Sequence, residues 1–146
     1  MLSWIEFKLK SLKFKHFFLL NFTFYFLFLG LMNQDITERT FDFAVRIVKL
    51  CQSLEEKPGV PRTLAKQLLR SGTSIGANVE EARAGQSKAD FINKNAIALK
   101  EARETQYWLR LLVATEIVSQ HDLNKLLQES EELKRILGAI IVKSKR

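Results

Sequence analysis

From about Asp35 to the C-terminus, apolar residues recur at intervals of three and four in successive stretches, separated by short polar or proline- and glycine-bearing breaks. That is the period of a helix with one buried face, and no stretch alternates with the period of two that a half-buried strand requires. The first stretch, about Asp35 to Leu54, carries Phe41, Ala44, Val45, Val48 and Cys51, with Ile47, Leu50 and Leu54 one face over. Pro58, Gly59 and Pro61 then end that helix and pre-set the start of the next. The second, about Arg62 to Ala84, places Leu64, Leu68, Ser71, Ile75, Val79 and Ala82 on one stripe. Gly72 and Gly76 interrupt it, each at a cost of about 1 kcal/mol relative to alanine. Close approach of a neighbouring helix is the simplest offset, with a kink or a looser stretch as the alternative. Gly85 stands where a C-terminal capping glycine belongs.

Ser87 and Asp90 have the spacing of a capping box and open a third helix, whose stripe reads Phe91, Asn95, Ala98, Ala102, Thr105, Leu109 and Val113. Around Tyr107, Trp108 and Leu111 this helix is apolar almost all round, more than one core needs, which points to a subunit interface. A fourth stretch, about Asp122 to Lys143, keeps a heptad-like seam through Leu123, Leu126, Leu127, Ser130, Leu133, Ile136, Leu137, Ile140 and Ile141. Four amphipathic helices with short connections predict an all-α, antiparallel up-down-up-down four-helix bundle over residues 32–146. A dimerising helical hairpin is the second choice.

Residues 1–31 have a different composition. They hold eight of the chain's eleven phenylalanines, mixed with leucine and with Lys8, Lys10, Lys13 and Lys15. The apolar run from Phe17 to Leu31 is shorter than the roughly 20 residues of a spanning helix, and no small-x-small cleavage site follows. Two readings stay open: a start set upstream of a true Met32, which is preferred because such residues are what A/T-rich non-coding sequence spells, and a weak membrane anchor.

The search for chemistry is short. Cys51 is the single cysteine and is expected in the core, and His16 and His121 have no partners at metal-ligand spacing. No Glu-x-x-His pair, phosphate-cradling glycine loop or nucleophile elbow is present, so neither an enzyme nor a cofactor is expected. Charge says more. From Met32 onward there are 19 Lys and Arg against 15 Asp and Glu, a net of +4. Arg62, Lys66 and Arg70 recur every four residues, roughly opposite the core stripe, and Lys143, Lys145 and Arg146 form a basic tail. Each run has an ordinary reading as a solvated face or, for the tail, as a partner for the helix dipole. The functional reading is nucleic-acid binding through phosphate contacts, with no motif for sequence-specific readout.

The run from Gln67 to Ala82 and the run from Ala98 to Leu109 together resemble the bacterial four helix bundle protein family, also described as the 23S rRNA intervening sequence protein, over about Thr37 to Ile141. The resemblance implies a cytoplasmic, non-enzymatic bundle that assembles into a ring-like homopentamer, encoded in some bacteria within insertions in the large ribosomal RNA gene. A similarity to the accessory proteins of diversity-generating retroelements implies RNA or other nucleic acid as partner. The family's polar motif falls on Arg70, Ser74, Asn78, Glu81, Glu101 and Glu104, read as packing, hydrogen-bonding or interface positions. Ala82 stands where many members carry glycine, and Gly76 where many carry proline. A structural adaptor that docks protein on the belt around Tyr107, Trp108 and Leu111 is the alternative function.

Overall fold

The computed structural model describes residues 35–146; the readings made for residues 1–31 and for a start at Met32 lie outside them. Four helices follow one another: α1 (Ile36–Glu55), α2 (Val60–Arg83), α3 (Lys88–Ala114) and α4 (Gln120–Lys145). Each packs extensively on the next in sequence, as short connections force on an up-down bundle, whereas α1 meets α4 only slightly. The Arg39 guanidinium crosses that thin seam and holds Glu129 with two hydrogen bonds, Nε to Oε1 at 2.5 Å and Nη2 to Oε2 at 3.1 Å.

The ends of the helices follow local chemistry. Gly59 caps α2 in the left-handed region at φ 86°, with Pro61 in the first turn. Ser87 caps α3 by accepting from the Asp90 amide at 3.1 Å. Ser119 caps α4 in the same way, from the Asp122 amide at 3.1 Å, so α4 starts two residues before the boundary set by hydrophobic period. The Ser-x-x-Asp spacing is the same at both sites and was there to be read. Gly85 departs from expectation: Ala84 is the cap residue, in ordinary right-handed geometry. A Cβ on Gly85 would stand 3.0 Å from the Ala82 carbonyl oxygen and 2.8 Å from Asp90 Oδ2, so crowding against the end of α2 and the α3 cap, not a left-handed turn, favours glycine there.

The left-handed residue that ends a helix is instead Glu116, at φ 56°. The Ile117 amide donates to Leu112 O at 3.1 Å and the Glu116 amide to Val113 O at 3.0 Å, a Schellman arrangement without its usual glycine. Since a Cβ in that region costs about 1 kcal/mol or more, Glu116→Gly is expected to stabilise the bundle by about 1 kcal/mol, read as a higher midpoint in urea unfolding.

Phe43, Ile47, Leu68, Ile75, Leu109, Leu112, Leu133 and Leu137 lie at the centre of the core. Small polar residues are buried among them, and each donates back to a carbonyl one turn earlier: Thr40 to Ile36 at 2.8 Å, Asn95 to Phe91 at 2.8 Å, Thr105 to Glu101 at 2.8 Å and Ser130 to Leu127 at 2.8 Å. Cys51 is buried as expected, and burial pushes its thiol up to about 11, so it stays protonated and unreactive at neutral pH.

The stripes expected for α2, α3 and α4 are largely the buried ones, although Leu112 takes the place given to Val113. On α1 the expectation is borne out for Cys51 and, one face over, for Ile47 and Leu54, but not for Phe41, Ala44, Val45 and Val48. Thr37, Thr40, Phe43, Ile47, Cys51 and Leu54 face the core, whereas Phe41 and Val45 are exposed and Ala44 and Val48 half-buried. The physical reason lies on α2, which runs unbroken through both glycines. A Cβ on Gly72 would stand 2.7 Å from Ile47 Cγ2, and one on Gly76 3.5 Å from the Thr40 backbone. The glycines let α2 approach α1 along the Thr40–Ile47 line, and that contact selects which of the two apolar faces of α1 is buried.

Candidate nucleic-acid interface and the polar seam

On α2, Arg62, Lys66 and Arg70 are all exposed and point away from the buried Leu68–Ile75 stripe, as the four-residue spacing requires. They are not equivalent. Arg62 Nε donates to the Glu55 carbonyl at 3.0 Å and so also finishes the end of α1. Arg70 Nη2 lies 3.8 Å from Glu104 Oε1 across the α2–α3 seam with its side chain 71% exposed, a loose pair that leaves most of the guanidinium in solvent.

Lys143 and Lys145 lie in the last turn of α4 and Arg146 just beyond it, where they complement the helix dipole. The antiparallel order puts the start of α2 and the end of α4 at opposite ends of the bundle. At 1.5 Å per residue, ridge and tail are separated by about 30 Å along the axis. The six basic residues singled out from sequence therefore form two surfaces, not one.

The six polar motif residues do come together. Arg70, Ser74, Asn78 and Glu81 lie one turn apart on the α3-facing edge of α2, and Glu101 and Glu104 on the facing edge of α3. Lys94 donates to Glu81 at one end of this seam, which raises the Lys94 ammonium above its ordinary value, and Arg70 approaches Glu104 at the other. Between them Ser74 Oγ donates to Arg70 O at 2.7 Å, and Asn78 Nδ2 to Ser74 O at 2.8 Å. The Trp108 indole N–H donates to Glu104 Oε1 at 3.2 Å. Glu101 Oε2 is buried among the described residues with no hydrogen-bond partner, a feature that spacing in the sequence does not signal.

The aromatic belt divides. Trp108 is half-buried against the core, Leu111 is half-buried, and Tyr107 is exposed, its ring edge-on to Trp108 with centroids 4.9 Å apart. Another apolar surface, which the sequence reading had assigned to the core, is the outer face of α1. There Phe41, Ala44, Val45, Val48, Lys49 and Gln52 line a groove of about 400 Å³ with Thr73 of α2.

Among the described residues no group of three or more His, Cys, Asp or Glu side chains is placed to hold a metal ion, and no helix is long and apolar enough to cross a membrane. The arrangement offers charge, hydrogen bonding and apolar contact.

The profile of the family described as 23S rRNA-intervening sequence protein matches residues 32–139. No curated protein matches. Among solved structures, the chain is similar to a protein of unknown function from the S23 ribosomal protein family of Bacteroides thetaiotaomicron, with 47% identity and a TM-score of 0.68, over 73% of this chain and 97% of that one. With residues 32–139 inside the profile and 47% identity to that protein over 73% of the chain, the chain belongs to the 23S rRNA-intervening sequence protein family.

Proposed function

We propose that the chain is a non-enzymatic, cytoplasmic, ring-like homo-oligomer, pentameric by resemblance, that binds RNA through the α2 ridge of Arg62, Lys66 and Arg70. The observation that carries the reading is the ridge itself: three exposed cations one turn apart on a rigid helix. Such a row meets successive phosphates without reading bases. Oligomerisation multiplies it, since several weak ridges on one assembly engage a single RNA with raised effective concentration. The tail at the far end of the bundle is a second, smaller contact.

Filter binding to structured RNA at low and moderate salt tests this. Wild type is expected to bind with affinity that falls steeply with salt. Replacing Arg62, Lys66 and Arg70 together by glutamine is expected to flatten the slope of log affinity against log salt by about 2 to 3 for each ridge engaged. Unchanged salt-dependent binding by the triple variant removes the ridge from the site. No binding by a well-folded wild-type assembly favours the second reading, an adaptor that docks a protein on Tyr107, Trp108 and Leu111, for which the exposure of the Tyr107 ring is the supporting observation.

A further inference from the structure

We propose that the groove on the outer edge of α1 and α2 receives α4 of a second copy of this chain, lying antiparallel to α1. This rests on the oligomeric reading above and names the surfaces that would build it. The groove is lined by the apolar side chains of Ala44, Val45 and Val48, and Phe41 stands 66% exposed in it. Glu38 lies one turn before Phe41, so the groove is acidic at the N-terminal end of α1.

The outer face of α4 has the complementary character. Val142 is 58% exposed. On the same face, four residues earlier, Gly138 has no atom within 4 Å of the place its Cβ would occupy. A glycine in a helix interior costs about 1 kcal/mol. At Gly72 that cost is offset by contact with Ile47 inside the chain. At Gly138 nothing among the described residues offsets it, and the open space there leaves room for a side chain from outside. Lys145 follows this patch on the same face.

Laid antiparallel, Val142 meets Phe41, Gly138 meets Val45 and Lys145 reaches Glu38. The match holds along the helices because both surfaces keep the same 1.5 Å rise. Groove and α4 face are different patches of the molecule, so the contact is head-to-tail, the kind that closes into rings.

The test is a chain carrying both Val45→Cys and Gly138→Cys, oxidised as the folded assembly. Within one chain the two positions are far apart. Arg39 is beside Glu129, and the rise per residue then puts positions 45 and 138 about 22 Å apart along the axis, well beyond disulfide reach. A disulfide therefore reports contact between copies. A ladder of covalent multimers is expected from the double variant and not from either single one. Phe41→Glu is expected to reduce the mass measured by light scattering to that of a monomer with helix content unchanged. An assembly that gives no ladder and keeps its mass with Phe41→Glu overturns this interface while leaving the oligomer in place. A wild-type chain that is monomeric at tens of micromolar overturns both.

Discussion

Gly72→Ala is expected to destabilise the bundle by about 1–3 kcal/mol, the usual cost of forcing a methyl group into a filled contact, even though alanine is the better helix former. The new Cβ would stand 2.7 Å from Ile47 Cγ2, 3.0 Å from Cγ1 and 3.2 Å from Cβ. The last distance decides the sign, because a branched side chain cannot swing its own Cβ aside and α1 or α2 must shift as a whole. Gly76→Ala is the control. Its Cβ would meet Thr40 at 3.5 Å, an ordinary contact. The gain in helix propensity of up to about 1 kcal/mol should then appear as added stability. Ile47→Ala combined with Gly72→Ala should lose less than the sum of the two single changes, since the cavity left by one accepts the methyl of the other. Urea unfolding of the four variants reads all of this. Equal destabilisation by both glycine substitutions would show that close helix approach is not what the glycines provide.

The same pair of helices shows how far the sequence could be read. Periodicity located all four helices, and breakers and caps set most boundaries, because those signals are local. The buried face of α1 was not legible. Phe41, Ala44, Val45 and Val48 keep helical spacing as well as Phe43, Ile47 and Cys51 do, and two core positions, Thr37 and Thr40, are polar. Only the neighbour decides between such faces, and the neighbour's contribution is two glycines, residues that carry no hydropathy signal. At the candidate site, the outward direction of Arg62, Lys66 and Arg70 followed from spacing alone. Their distance from Lys143, Lys145 and Arg146 depends on which end of the bundle each helix begins, and composition does not hold that information. The polar seam was legible as a motif on two helices, whereas the unpartnered oxygen of Glu101 depends on the rotamers that packing selects.

Phe43→Ala is expected to cost about 3–5 kcal/mol, the range for removing a buried aromatic ring from a core that cannot collapse around the loss. Phe43 is 1% exposed. Because domains of this size are stable by only about 5–15 kcal/mol, this substitution should bring the isolated bundle close to unfolding, with the slope against urea preserved if unfolding stays two-state. Phe41→Ala, two residues away on the same helix, removes the same atoms and should change the stability of a single copy by no more than about 0.5 kcal/mol. The contrast separates the two apolar faces of α1 by what covers them. If a second copy covers Phe41, its loss becomes visible only through mass action: the midpoint of wild-type unfolding rises with protein concentration, and that of Phe41→Ala does not. Phe43→Ala keeps the concentration dependence and shifts the whole series downward. A reversed outcome, with Phe41→Ala the more damaging at every concentration, would mean that the face turned outward in this fold is the one buried in solution.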